Sequence, residues 1–504
     1  MASQKRILVI GAGVSGLTAI KACKEENLDV VCYERIGELG GLWRYHENDL
    51  DGLPSVMKST ISNTSKEMSS FTDFPPAKEF PTYMHHTAVL KYLEMYVEHF
   101  GLLSHITYYQ EVIELIPAED YGTTGKWLVK IRDLHSDENR EEAFDGVMAC
   151  VGHHAYPMSP SYPNMDVYAG QIIHSHSYKT FTGFEDKTVL VIGAGNSGAD
   201  IAAELSNVAK KVYLSTRRGA WIYPRLFEKG KPCDVCNNRR YKTLLPSKYT
   251  MNKLEKFLNK RMDHERFGIK PYHSVSSQHP TINDELHAKL LNGRVIVRRD
   301  VKEFSETGVI FDGEEESTPI DVVFLATGYQ VKFPFLSDDI LRVGKNNKVL
   351  LYKNMFPPQL KHHTLAVIGL IQPNGSLFPV FEMQSRWFVA LMTEKCHLPS
   401  TDTMLSSVRS TEGFRARNFV QSPRHSLEAS WLSYMDEVAD EFGVKPNMAA
   451  LLLKDPKLFW ACFFGPCLPY QYRLNGPHKW EGAREAILGY KSRMYGHIKN
   501  GREN

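Results

Sequence analysis

The chain has 504 residues, 42% hydrophobic and 23% charged, which excludes a disordered, collagen-like or fibrous protein and leaves ample length for a large buried core. Sixty Lys and Arg against 58 Asp and Glu give a formal net charge of +2, so no overall field draws the chain to nucleic acid. Any anionic ligand must be held by local basic groups. Eight cysteines without framework spacing suggest a reducing compartment or a cytosol-facing surface. No apolar run approaches the ~18–20 residues that span a bilayer. The longest, at 7–10, 366–371 and 458–464, are far shorter.

The basic, then apolar, opening of the chain resembles a signal peptide, but the same residues make a better strand–turn–helix. Residues 5–10 are an Ile/Val-rich run that predicts a buried parallel strand. Gly11-Ala12-Gly13-Val14-Ser15-Gly16 follows at once, 17–24 continue at helical spacing, and a second apolar run, 28–33, ends on Glu34. This is the GxGxxG dinucleotide pattern in the context it requires. Gly11 permits the tight turn, Gly13 lets the backbone approach a pyrophosphate, and Gly16 allows close helix–strand packing. The helix N-terminus offers N–H donors to phosphate. Glu34, 18 residues after Gly16, stands where a carboxylate can accept ribose hydroxyls. The bland alternative is a Gly-rich packing turn, and the strand, helix and terminal acid together weigh against it.

Residues 87–100 space Val89, Leu90, Leu93, Tyr96, Val97 and Phe100 as one face of an amphipathic helix. Segments 144–152 and 321–328 form a matched pair, each an acid, an apolar strand and a glycine. They predict the points where the chain leaves and re-enters the first nucleotide fold.

Between them the pattern recurs. A strand at 187–192 leads into Gly193-Ala194-Gly195-Asn196-Ser197-Gly198, and Ala199 and Asp200 open a helix to 205. The next strand, 211–214, runs into Ser215-Thr216-Arg217-Arg218. Eighteen residues past Gly198 stands Thr216, so a hydroxyl followed by arginines replaces the acid found at Glu34. A carboxylate there would repel a 2′-phosphate, whereas Thr216 and Arg217 can bind one. The first site therefore suits the adenosine half of FAD and the second NADPH, one accepting hydride and the other donating it.

The stretch 229–270 interrupts the strand–helix alternation with 12 Lys/Arg against 4 Asp/Glu. It reads as a solvated helical excursion; the sharper alternative is a patch for anionic membrane surfaces. Cys233 and Cys236 form an isolated CxxC with no second pair, so no metal site is expected. GxSxG, HExxH and P-loop motifs are absent, and the scattered histidines, His153, His154, His174, His176, His362 and His363 among them, read as structural.

At this point the residues resemble the flavin-containing monooxygenases of animals, over nearly the whole chain. Glu34-Arg35 with Gly40-Gly41-Leu42-Trp43 is similar to the family's first FAD stretch, and Ser62-Asn63-Thr64-Ser65-Lys66-Glu67-Met68 to its segment beside the flavin. Residues 168–178 match FxGxxxHxxx(Y/F), with Tyr168 for Phe. Ala326-Thr327-Gly328-Tyr329 matches the linker motif, and Ile371-Gln372-Pro373 a later flavin contact. The family's hydrophobic C-terminal anchor is not seen in the polar segment 495–504.

The resemblance implies an α/β fold of two Rossmann-like domains, for FAD and NADP, with the NADP domain (165–328) inserted in the FAD domain (1–164 and 329–504). It implies an NADPH- and oxygen-dependent flavin monooxygenase, in which a C4a-hydroperoxyflavin oxygenates soft nucleophiles: amine nitrogen, or sulfide or thiol sulfur. Asn63 would hold NADP⁺ beside the flavin. Arg35, Gly41, Leu42, Trp43, Ser62, Thr64, Thr327 and Gln372 would join the glycine-turn residues in binding cofactors. Small nucleophiles and O2 would be the partners, with no nucleic acid, and a homodimer is compatible. The location implied is the cytosolic face of the endoplasmic reticulum membrane, peripherally, with the cytoplasm as the alternative. Baeyer–Villiger oxygenation, uncoupled NADPH oxidation, a flavin disulfide reductase and a non-catalytic FAD module stay open; Cys233 and Cys236, 35 residues past Gly198 at the nearest, argue against the reductase.

Overall fold

The computed structural model describes residues 4–420, 422 and 426–498. Two five-stranded parallel sheets organise it. The first runs Leu365–Val367, Gly146–Ala149, Arg6–Ile10, Asp29–Glu34, Ile106–Tyr108. The second runs Val295–Arg298, Lys211–Ser215, Thr188–Ile192, Val322–Leu325, Gln171–His174. Each central strand carries a glycine turn at its C-terminal end and is covered on both faces, which is why Ile7–Val9 and Val189–Val191 are wholly apolar and buried. In each sheet the strand order reverses beside that central strand, the place where open α/β sheets bind ligands.

The matched segments resolve into a shared device. The 144–152 run is broken at Asp145: Asn139–Phe144 belongs to an antiparallel meander with Gln110–Pro117 and Trp127–Asp133, and only Gly146–Ala149 joins the parallel sheet. Asp145 donates its N–H to the Arg6 carbonyl (2.8 Å), and its Oδ2 accepts the Arg6 N–H (2.7 Å). Asp321 does the same to Thr188, at 2.8 and 2.7 Å. Each acid thus aligns a closing strand with the first residue of its glycine-turn strand. The second sheet has its own meander, Val301–Ser305, Gly308–Phe311 and Thr318–Pro319.

The chain passes from one sheet to the other and back along two touching linkers. Tyr156–Pro157 pairs antiparallel with Tyr329–Gln330, and Met158 donates its N–H to the Gly328 carbonyl (2.9 Å). The second nucleotide fold is therefore an insertion in the first.

The central helix Phe378–Met392 is buried at every residue except Leu391, on all sides rather than along one stripe, with Glu382, Gln384, Ser385 and Arg386 among the buried residues. It packs on Val14–Glu25, the helix of the first glycine turn. Where these helices meet the later chain, buried charges are paired: Arg473 lies 2.9 Å from Glu382 and 3.0 Å from Glu25 and Asp73, and Lys21 lies 2.6 Å from Asp73. Pairing is what makes such burial tolerable.

The basic excursion departs from the solvated reading. Its helix Ser247–Arg261 is mostly exposed, with only Leu258 buried. Arg240, however, is buried, with Nη1 2.6 Å from Asp436 and Nε donating to Gln471 Oε1 at 2.9 Å. The first part of the excursion is packed into the FAD half.

Candidate functional site

At both glycine turns the backbone leaves no space for a side chain on the first and third glycines. Gly11 and Gly193 have φ of +97° and +112°. A Cβ on Gly16 would stand 1.8 Å from the Gly11 carbonyl oxygen, and one on Gly198 would stand 1.8 Å from that of Gly193. Helix Val14–Glu25 and helix Asn196–Leu205 start on Gly13 and Gly195, with no side-chain cap and no acid in the first turn. Their leading N–H groups are thus left for an anion.

The first turn is roofed by the Gly41 segment. Gly40 donates its N–H to the Ala12 carbonyl (3.0 Å), and a Cβ on Gly13 would lie 3.6 Å from Gly41 Cα, so the two glycines face each other across a gap that any side chain would fill. Leu42 and Trp43 follow in the short helix Gly41–Trp43, and the Trp43 ring meets Phe378 edge-on. Glu34 is buried at the end of its strand; Oε2 accepts the Ala12 N–H (2.7 Å) and Oε1 the Ile36 N–H (3.1 Å). Burial holds its carboxyl above the usual range, against the pull of those donors. Arg35 lies at the rim, donating to the Asp51 carbonyl (2.6 Å). On the far side, a Cβ on Gly369 (φ +93°) would come 2.8 Å from Ser15 Oγ. Gln372, three residues on, is fixed by its own N–H donating to the Leu427 carbonyl (2.9 Å).

The Ser62–Asn63–Thr64 turn is tightly held. Ser62 donates its N–H to the Met84 carbonyl (2.8 Å) and its Oγ–H to the Thr64 carbonyl (2.6 Å), and Thr64 Oγ1 lies 2.7 Å from Ser69 Oγ. Asn63 is half-buried, and its Oδ1 accepts from Arg225 Nη2 at 2.8 Å. Arg225 in turn pairs with Asp284 at 3.1 Å. Neither Arg225 nor Asp284 belongs to a local sequence pattern; only the contact between the two halves marks them.

At the second turn Ser197 is exposed and Ala199 buried against the sheet. The side chains of Asn196 and Asp200 are engaged within the protein. Asn196 Oδ1 accepts the Ile282 N–H (2.7 Å), and Asp200 Oδ1 accepts from Asn283 Nδ2 (2.7 Å). Burial pushes the Asp200 carboxyl up to about 6. Neither side chain is therefore free to face a ligand, and the turn offers one only its backbone. Thr216 donates its N–H to the Arg298 carbonyl (3.0 Å). Arg217 is 67% exposed, and its nearest acid, Asp300, lies 3.6 Å away, a contact loose enough to yield to phosphate. Thr327 Oγ1 donates to the Met158 carbonyl and so serves the linker. Cys233 and Cys236 are free thiols, and among the described residues no group of three His, Cys, Asp or Glu could hold a metal. Cys150, whose carbonyl oxygen lies against Gly11, and its neighbours Cys23 and Cys32 are buried free thiols that burial pushes well up, away from the thiolate a redox dithiol needs.

Two uncapped helix ends, each behind a glycine turn, one with a buried acid and one with an exposed arginine, fit FAD and NADPH respectively. Comparison with known proteins decides the matter: residues 4–503 match the flavin-binding monooxygenase-like family. The chain belongs to that family. Flavin-containing monooxygenase 5 of Rattus norvegicus is 45% identical over 98% of this chain and 93% of its own. Dimethylaniline monooxygenase [N-oxide-forming] 2 of the same species is 42% identical over the same shares. Among solved structures, S-allyl-L-cysteine S-oxygenase of Allium sativum has a TM-score of 0.66 at 21% identity, covering 98% of this chain and 99% of its own. Cyclohexanone monooxygenase has 0.60 at 15%, covering 87% and 98%. Family membership makes this chain a flavin-dependent monooxygenase that uses FAD, NADPH and O2 on small molecules.

The glycine geometry separates two kinds of failure. Gly16→Ala forces a methyl group into the Gly11 carbonyl and should disrupt the fold itself. Gly13→Ala meets nothing closer than 3.6 Å and should fold, yet its methyl fills the gap beneath Gly41 and should strip FAD. The ratio of flavin to protein absorbance, read beside the circular dichroism spectrum, checks both. A flavin-replete Gly13→Ala protein would contradict the placement.

Proposed function

We propose that this monooxygenase transfers oxygen to the nitrogen or sulfur of soft, uncharged nucleophiles, and that the Asn63 turn is where cofactors and substrate meet. The observation that carries this reading is the Arg225–Asn63 contact, because it ties the polar turn of the FAD half directly to the NADP half. The proposed limits are 1–164 and 329–504 for the FAD-binding domain and 165–328 for the NADP-binding domain. The names of the relatives support nitrogen and sulfur as the oxygenated atoms.

When bound, FAD supplies the redox chemistry: it takes hydride from NADPH and activates O2. The chain's own residues do the rest. Gly11, Ala12, Gly13, Val14, Ser15 and Gly16 receive the FAD pyrophosphate, and Glu34 its ribose. Gly193, Gly195 and Gly198 receive that of NADPH, with Thr216 and Arg217 on its 2′-phosphate. Gly41, Leu42, Trp43 and Gln372 wall the flavin. The Asn63 amide, with donor and acceptor on one group, orients the nicotinamide, and Arg225 fixes the oxygen so that the NH2 points the other way. No general base is required of the protein, because the cofactor carries the redox chemistry.

Peripheral membrane attachment is part of the same proposal. Helix Pro456–Phe463 lies against the excursion, with the Tyr241 and Phe464 rings 5.8 Å apart. With the preceding helix, Met448–Lys454, they expose Leu244 (74%), Leu453 (85%) and Trp460 (64%), and Lys248, Lys454 and Lys457 are exposed on the same elements. Apolar side chains ringed by lysines suit an anionic bilayer surface. Among the described residues no helix is long and apolar enough to cross a membrane.

Two measurements test the assignment. NADPH should be preferred over NADH, and Arg217→Ala should raise the NADPH KM roughly 10-fold through loss of a charge-assisted contact. Equal use of both nucleotides by the unaltered enzyme would contradict the second site. Asn63→Ala should retain FAD and consume NADPH, yet release hydrogen peroxide in place of oxygenated product. The ratio of sulfoxide formed to NADPH consumed, with an alkyl aryl sulfide present, reads this directly. Full coupling in that variant would reduce Asn63 to a turn former.

A further inference from the structure

Beside Asn63 the excursion contributes a second contact, and it is an unusual one. Asp234, on the short helix Cys233–Asn237, is buried, and its Oδ2 accepts both the N–H (2.7 Å) and the Oγ–H (2.9 Å) of Ser65, two residues past Asn63. Its Oδ1 accepts the Val235 N–H at 2.8 Å. All its partners are thus N–H and O–H groups, and among the described residues no Lys, Arg or His comes within ion-pair distance of it. A buried carboxylate without a cation is costly, while an asparagine, with one acceptor oxygen, could serve Ser65 but would turn its NH2 toward the Val235 N–H. What the charge adds is strength: bonds to a carboxylate are shorter and about twice as strong as neutral ones.

The place where that strength is applied is specific. Ser62 is held by the Met84 carbonyl, Asn63 by Arg225 and Ser65 by Asp234, so the turn is fixed at its start, middle and end. Two of those three holds come from the chain between the second glycine turn and Val322.

We propose that Asp234 is a positioning residue for the monooxygenation, fixing the backbone on which Asn63 stands through its two bonds to Ser65. It does not touch the reacting atoms; it sets where the Asn63 amide lies. Displacing a positioning group by about 1 Å can change a rate by up to ~100-fold, so partial loosening should be visible as uncoupling well before the fold fails. The proposal rests on the reading of Asn63 given above.

The test uses the FAD-loaded enzyme and the variants Asp234→Ala, Asp234→Asn and Ser65→Ala. Hydrogen exchange of the 62–66 amides, followed by mass spectrometry, reports the turn without any turnover. The rate of flavin bleaching by NADPH and the ratio of sulfoxide to NADPH consumed report the two halves of the reaction. Asp234→Ala should exchange the 62–66 amides about 10-fold faster or more and lower the coupling ratio several-fold, while flavin bleaching stays within roughly 2-fold of the unaltered enzyme. Asp234→Asn keeps an acceptor for Ser65 and should fall between the two. Faster exchange with full coupling, or unchanged exchange, would overturn the assignment. Should Asp234→Ala lose FAD, then Asp234→Asn and Ser65→Ala decide: lowered coupling in both supports the role, and full coupling in either refutes it. Asn63→Ala run alongside separates the causes, since full coupling there would refute the reading of the turn rather than the role of Asp234.

Discussion

The contact on which the rest of the structure depends is that of Gly16 with the Gly11 carbonyl, together with its repetition at Gly198 and Gly193. In both places a methyl group would come within 1.8 Å of a backbone oxygen. Only that approach lets a helix begin immediately behind its strand, aiming uncapped N–H groups across the C-terminal edge of a parallel sheet. Everything downstream follows from where those two edges lie. The meanders, the linkers and the capping acids Asp145 and Asp321 keep each central strand in register with its closing strand, so the edges stay level.

Two nucleotide folds alone would give two binding sites without chemistry between them. What couples them is the chain inserted after the second glycine turn. Arg225 reaches the Asn63 amide, and Arg240 enters the FAD half to meet Asp436 and Gln471. The FAD half answers with buried pairs of its own: Glu67 accepts from Arg493 at 2.8 Å and from Tyr470 at 3.0 Å, and Glu382 accepts the Thr72 N–H at 2.6 Å. The Asn63 turn is thus held between elements far apart in sequence. Water exclusion and fixed geometry are what a protein can add when the cofactor carries the redox step.

Much of this is legible in the sequence because it is local. Each glycine turn announces itself within about thirty residues of strand, turn, helix and strand. Glu34 and Thr216 stand at equivalent positions 18 residues past Gly16 and Gly198, and the change from acid to hydroxyl is readable there. The matched runs at 144–152 and 321–328 mark the crossing points, although the first proves to be two strands broken at Asp145. What does not show is what depends on pairing across the fold. Arg225, Asp284 and Asp234 have no periodicity or spacing to mark them, and the basic run containing Arg240 reads as solvated because its acids lie some 200 residues away. Asn196 and Asp200 fit the turn pattern, yet their side chains serve the Ile282–Asn283 segment, a partner the sequence does not reveal.

If the first glycine turn receives FAD and the second NADPH, each cofactor protects its own helix start. Hydrogen exchange on the FAD-loaded enzyme, with and without NADP⁺, tests it most directly. NADP⁺ should slow the amides of residues 196–199 and leave those of 14–17 as they are, while removal of FAD should quicken 14–17 alone. Protection of 14–17 by NADP⁺, or no change at 196–199, would contradict the account.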